Sequence, residues 1–192
     1  MRIIAGAWRG RRLHAPPGAA TRPTADRVRQ AMFDMLMHAP WGGAERLAGA
    51  AVLDAFAGTG ALGLEALSRG AGSAVFLEPD PAARAAIARN IAACDASARA
   101  RVLSASALAP PPGAPCALVF LDPPYGQAML IPALAALAGA GWLAPGALVV
   151  AESARAEPRP PSPSDLAAEL LAERTHGAAR ITVWRVIAPI PS

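Results

Sequence analysis

AVLDAFAGTGALGLEALSRG, residues 51–70, decides the fold. The apolar run AAVLDAF (50–56) reads as a buried strand, and ALGLEALSR (61–69) continues at helical spacing until Gly70 closes it. Between them Gly58, Gly60 and Gly63 stand in GxGxxG spacing, directly after Asp54 at the strand tip. Glycines at such a turn let backbone N–H groups and a helix N-terminus come close to a ligand. A strand, a glycine turn and a helix in that order is the opening of a βαβ unit.

Working outward, the alternation continues. SAVFLE (73–78) is a strand ending in Glu78, and Pro81 to Ala93 is a helix with proline in its first turn. RVLSA (101–105), ALVFL (117–121) and ALVVAE (147–152) are further strands, with a helix over residues 127–138 between the last two. Strands that alternate with helices require crossover connections and a parallel sheet covered on both faces. The expected fold is a doubly wound α/β domain over residues 47–192, preceded by an extension over 1–46. In that extension RIIAG and RRLHA read as a short β-hairpin, and a helix runs from Thr24, its cap, to about His38, with Val28, Met32, Met35 and Leu36 on one face. Arg27 and Arg29 fall off that stripe, so the helix is expected to show a basic face to solvent. In the tail, EPRPPSPS (157–164) is a loop and ARITVWRVI (179–187) a strand, while LAAELLAER (166–174) is helical by propensity and His176–Gly177 suits a hairpin turn.

Composition sets the limits. With 192 residues, 54% of them hydrophobic, and a mean hydropathy of +0.32, the chain can bury one substantial core. All 18 basic residues are arginine. Eight of them lie in residues 1–46 against three acids, a net charge of +5, whereas the remainder is −1. That asymmetry points to an arm facing a polyanion. Cys94 and Cys116 lack CxxC spacing, so small core residues are expected and neither a metal site nor a disulfide. MRIIAGAWRGRR has no continuous apolar segment of a secretion signal. Residues 127–151 carry no charge, but Pro132, Gly139, Gly141, Pro145 and Gly146 interrupt them, and GWLAPG reads as a turn. A soluble, cytoplasmic protein is expected, with a monomer as the default.

Two sets of residues carry chemistry. Glu78 ends its strand where a carboxylate can accept both hydroxyls of a ribose. The glycine turn fits two cofactors: a dinucleotide, whose pyrophosphate needs the helix N-terminus, or S-adenosylmethionine, whose ammonium wants a carboxylate. Asp54 at the strand tip suits the second. The other set is LVFLDPPYGQ (118–127), a core strand ending in a carboxylate, two prolines and an aromatic. The fixed φ of Pro123 and Pro124 holds Asp122 and the Pro123 carbonyl as a rigid pair of acceptors. Such a pair takes the two hydrogens of an exocyclic amine and turns its lone pair towards an electrophile. Tyr125 can stack on the base, a contact of roughly 1–3 kcal/mol.

DPPY closing the fourth strand resembles the signature of class I methyltransferases that act on exocyclic amines. More narrowly, MRIIAGAWRGRRL, TRPTADRVRQAMFDML, DAFAGTGALGLEALSRGA and FLDPPYGQ together resemble the RsmD family, which methylates the N2 amine of a guanine in bacterial 16S rRNA using S-adenosylmethionine. The resemblance implies a seven-stranded Rossmann-like sheet whose tail is an antiparallel strand pair turning at His176 and Gly177. It implies cofactor contacts from Asp54, Gly58, Gly60, Gly63 and Glu78, and a catalytic motif from Asp122 to Tyr125. Ser106 falls where such enzymes carry the Asp or Asn that reads the adenine amine. Arg22, Pro23 and Thr24 fall beside the cofactor and RNA face, and Arg2, Arg9, Arg11, Arg12, Arg22, Arg27 and Arg29 become candidate phosphate contacts. DNA adenine-N6 or cytosine-N4 methylation remains an alternative, as do a more distant nicotinamide-dependent oxidoreductase and an RNA-binding module without catalysis.

Overall fold

The computed structural model describes residues 1–16, 23–158 and 168–187. Five helices and seven strands follow one another as α1 (Pro23–His38), α2 (Ala44–Leu47), β1 (Ala51–Asp54), α3 (Ala61–Ser68), β2 (Ser73–Leu77), α4 (Pro81–Ala93), β3 (Ala100–Leu103), β4 (Cys116–Leu121), α5 (Leu130–Gly139), β5 (Leu143–Ala154), β6 (Ala168–His176) and β7 (Ala179–Val186). The strands form one sheet in the order β3-β2-β1-β4-β5-β7-β6. β1 to β5 are parallel, and β7 enters antiparallel between β5 and β6. The chain runs outward from β1 to β3 and then returns to β4, so the strand order reverses between β1 and β4. In open α/β sheets that reversal leaves a crevice at the carboxyl ends of the strands.

Alternate residues of each strand serve opposite faces. Val52, Phe76, Phe120 and Val150 pack with Phe33 of α1, Leu64 and Leu67 of α3 and Ile87 of α4. Leu53, Leu77, Leu121 and Val149 face the other way, against Leu130, Leu134 and Leu137 of α5 and against Trp142 and Trp184. Cys94 and Cys116 are buried, unpaired thiols, and burial pushes the Cys116 thiol up to about 11. Among the described residues no helix is long and apolar enough to cross a membrane.

Residues 1–46 share the core rather than sitting on top of it. Ile3, Leu13, Val28, Met32, Phe33 and Leu36 are all buried within the α3 side of the sheet. The expected hairpin is present but short: one antiparallel bridge, Arg2 to Arg12, flanked by bonds from Ile3 N to the Arg11 carbonyl and from Gly10 N to the Ile3 carbonyl, both 2.9 Å, while residues 4–8 bond to α3. Ile4 and Ala5 donate to the Glu65 carboxylate at 2.7 and 3.0 Å, and Ala7 donates to the Ser68 carbonyl at 2.7 Å. Glu65 has no exposed surface; besides the two arm amides it accepts from Arg69 Nε at 2.7 Å and lies 3.8 Å from Arg29 Nε. Helix α1 starts at Pro23, so Thr24 lies in the first turn instead of capping it, with proline where its missing N–H costs nothing.

The antiparallel strand pair expected for the tail is present: LAAELLAER contributes to strand β6 against its helical propensity, because β7 offers it a ladder from Ala168 to His176. Two other expectations are corrected. The turn that joins β6 and β7 is Gly177–Ala178, one residue beyond the expected pair, with Gly177 at φ 62°. GWLAPG is not simply a turn: β5 already begins at Leu143, and the register shifts between the Cys116–Leu143 and Leu118–Leu148 pairs. Pro145 has no N–H to give the ladder, so the strand bulges there and resumes. Of the loop over 157–164, only Glu157 and Pro158 fall within the described residues.

Removing a charge that buried arginines depend on leaves them uncompensated, which costs about 3–5 kcal/mol. Glu65→Ala is therefore expected to lower unfolding free energy by about that amount in urea titrations. It should also make Arg9, Arg11 and Arg12 quicker targets for trypsin. A loss below about 1 kcal/mol with unchanged cleavage would show that the arm is held by its apolar contacts alone.

Candidate active site

Four apolar strands end in carboxylates. Asp54 closes β1, Glu78 follows β2, Asp122 follows β4, and Glu152 lies near the end of β5. The parallel register sets their spacing: Leu121 stands opposite Ala151, so the next residues, Asp122 and Glu152, come side by side. Asp54 stands opposite both Phe76 and Phe120. A cavity of about 600 Å³ opens above these tips.

Gly58, Glu78, Ser106 and the run Asp122 to Tyr125 all line that cavity, as expected from sequence. Glu78 Oε2 accepts from Gly58 N at 2.8 Å and its Oε1 from Asp80 N at 2.9 Å. Each oxygen keeps a second lone pair for a ligand hydroxyl. Ser106 Oγ already accepts from Leu108 N at 3.2 Å and pins the loop after β3.

The rest of the glycine motif lies behind the cavity wall. Gly60, at φ 76°, is the residue before the first turn of α3. Gly63 is glycine for packing: a Cβ there would sit 2.4 Å from the Phe76 ring. Asp54 is buried, absent from the lining, and its Oδ2 accepts from Gly63 N at 3.0 Å. Burial raises its carboxyl from 3.8 to about 7 against the pull of that N–H, and the Glu78 charge adds to the rise.

The DPPY loop is held from the neighbouring strand. Tyr125 Oη donates to Glu152 Oε1, and Gly126 N donates to Glu157 Oε1. Buried Arg180 of β7 fixes that second anchor by donating to the carbonyls of Arg155 at 2.9 Å and of Glu157 at 3.0 Å. Tyr125 keeps 44% of its surface exposed, so a ring face remains available while its hydroxyl is tied. Asp122 is open to the cavity, where water tempers the penalty on its charge. Its carboxyl is nonetheless raised, by burial first and then by the charges of Glu152 and Asp54. Glu152 is raised by burial and partly relieved by the Tyr125 hydrogen bond. Burial and that same bond lift the Tyr125 hydroxyl above its usual value. A cationic ligand in the crevice would ease the penalty on ionising these carboxyls.

The basic arm divides. Arg29 does not face solvent: it is buried, and its Nη2 donates to the Arg2 carbonyl at 2.6 Å and to Asp26 at 2.9 Å. Its side chain closes one wall of the cavity, with Met1 and Met32 beside it. Its spacing off the apolar stripe was misleading because the arm and Glu65 cover that face as well. Arg2, Arg9 and Arg27 are exposed and line a second groove of about 480 Å³ with Gln30 and with His176 from the β6–β7 turn. Arg11 and Arg12 are exposed away from that groove, and Arg22 falls outside the described residues. Glu152 and Met1 line the cavity although the sequence did not single them out. The signal for Glu152 was present, since ALVVAE ends in a carboxylate just as the three assigned strands do.

A seven-stranded sheet in this order, with β7 inserted antiparallel and an acidic cavity over β1, β2, β4 and β5, is a class I methyltransferase architecture. The chain belongs to the family described as Conserved hypothetical protein 95, which it matches over residues 1–185, and it is a methyltransferase. It is 42% identical over 155 residues to the Ribosomal RNA small subunit methyltransferase D of Escherichia coli K12, covering 80% of this chain and 74% of that one. The protein of the same name from Haemophilus influenzae is 37% identical over 163 residues, covering 82% and 81%. The solved structure of yhhF from Escherichia coli aligns with a TM-score of 0.83 at 38% identity over 98% of each chain.

Asp54 supplies a pH test. Its folded value lies above its unfolded value, so its contribution to stability is fully present below about pH 3.8 and is lost as pH rises through about 7. Asp54→Asn, which keeps an acceptor for Gly63, is expected to raise thermal stability relative to the parent more at pH 8 than at pH 5. The difference between the two is on the order of 2 kcal/mol. Equal effects at both values would show that the Asp54 charge is already compensated.

Proposed function

We propose that the protein transfers a methyl group from S-adenosylmethionine to the N2 amine of a guanine in 16S rRNA of the small ribosomal subunit. The observation that carries this reading is the pair of acceptors at the end of β4, set in an acidic cavity with an aromatic ring beside them. When bound, the cofactor supplies an electrophilic methyl on a positively charged sulfur. Asp122 and Glu152, which line the cavity, suit that charge and the ammonium, while Glu78 suits the ribose. A dinucleotide fits the same cavity poorly: its pyrophosphate would face Glu78, Asp122 and Glu152, and the lining arginine, Arg29, is already paired with Asp26.

Asp122 and the Pro123 carbonyl accept the two N–H bonds of the exocyclic amine, so that its lone pair points at the methyl. Asp122 then takes the proton that the methylated nitrogen releases, a task helped by its elevated affinity for protons. Tyr125 stacks on the base. Alignment supplies most of the acceleration, since the amine is a weak nucleophile and must be held in line with the leaving sulfur. The target base must therefore leave its helix or start unpaired. Arg2, Arg9 and Arg27 grip phosphates of the flanking RNA in the second groove. The rRNA assignment rests on the named relatives and the basic arm; both the catalytic loop and the cavity are compatible with other amino-bearing bases.

Incubation with labelled cofactor and small-subunit particles, followed by digestion of the RNA, should yield N2-methylguanosine. Methylated adenine or cytosine in DNA would transfer the assignment to the alternative substrate. Asp122→Ala should abolish transfer while S-adenosylhomocysteine still binds by calorimetry; retained activity refutes the acceptor role. Arg9→Ala with Arg27→Ala should weaken RNA binding and reduce the log–log salt slope by about 2, near one for each phosphate no longer gripped.

A further inference from the structure

We propose that Glu152 selects the base: it accepts the ring N1–H of guanine while Asp122 accepts from the adjacent N2 amine. This rests on the guanine reading above and deepens it. Three observations support it. Glu152 lines the same cavity as Asp122 and Tyr125. The β4–β5 register brings its carboxylate beside that of Asp122, close enough for the Glu152 charge to raise the Asp122 carboxyl. Tyr125 Oη donates to Glu152 Oε1, which orients the carboxylate and uses only part of its acceptor capacity.

The chemistry of the bases then decides. Guanine presents two donors side by side, N1–H and the N2 amine. Adenine and cytosine present an amine beside a bare ring nitrogen with a lone pair. Two neighbouring carboxylates satisfy the guanine edge completely, whereas the second carboxylate would face a lone pair of adenine or cytosine. Sites built to accept a hydrogen bond reject analogues that lack the donor, because a buried acceptor is left unpaired. Asp122 and the prolines define an amine clamp of general use; Glu152 restricts it to one base. Glu152 is held by Tyr125, so the residue that stacks on the base also sets the angle of the one that reads it.

The test uses the full-length protein and 2-aminopurine, which keeps the N2 amine but has a bare N1. Once the methylated guanine is mapped, particles are reconstituted with guanine or 2-aminopurine at that position. The parent protein is expected to prefer guanine by about 100-fold in kcat/KM, and Glu152→Gln to reduce that preference to about tenfold or less. The altered ratio separates reading of N1–H from a merely structural role, because a loosened loop would slow both substrates alike. A parent preference near unity, or an unchanged ratio in Glu152→Gln, overturns the proposal, and the first needs no variant. So does loss of S-adenosylhomocysteine binding in Glu152→Gln, which would assign the carboxylate to the cofactor. If the parent forms no N2-methylguanosine at all, it is the guanine reading that fails.

Discussion

A carboxylate with no access to water organises this molecule. Glu65 lies on α3 on the face that α1 and the N-terminal arm cover, and two backbone amides and two arginines surround it there. Three donors, from Ile4, Ala5 and Arg69, and the Arg29 guanidinium must converge on one side chain. That requirement fixes the path of residues 4–8 across α3, and Ser68 one turn later repeats it by accepting from Trp8 and donating to the Ala5 carbonyl. Asn90 of α4 completes the arrangement, binding His14 at the far end of the arm and the Thr59 carbonyl of the glycine loop. The arm is consequently tied to the loop that it overlies. Met1 and Arg29 reach the cavity as a result, so an extension that looks like an RNA accessory also walls the chemical site.

The opposite end of the sheet is governed by charge of one sign. Parallel strands bring their carboxyl ends together, and here four of them end in acids. Burial raises Asp54, Asp122 and Glu152, and the charges of neighbouring carboxylates add to the rise at Asp54 and Asp122. A fold tolerates that strain where a ligand relieves it. The sulfonium and ammonium of S-adenosylmethionine would supply opposite charge beside Asp122 and Glu152. The DPPY loop meanwhile is held from outside itself: Arg180 holds the segment that places Glu157, Glu157 holds Gly126, and Glu152 holds Tyr125.

Much of this was legible because parallel strands advertise themselves. Buried on both faces, they appear as short apolar runs, and helices with proline or glycine at their ends separate them. Asp54, Glu78 and Asp122 stand out because each interrupts such a run at its end. Glu152 does the same and is easily passed over, since no motif surrounds it. LAAELLAER is ambiguous for a different reason: its residues favour a helix locally, and only the ladder offered by β7 outweighs that preference. Arg29 misleads because helical spacing assumes one buried face, whereas α1 is covered on two.

From the sequence alone came the strand alternation, the glycine turn, the DPPY motif and the basic arm, because each depends on residues near one another in the chain. The tertiary structure decided which of those residues share a cavity. It set Asp54 and Gly63 behind the wall, drew Met1 and Arg29 into it, and put Glu152 next to Asp122. Such neighbours are created by strand register and by buried charges that must find partners, and both join residues far apart in sequence.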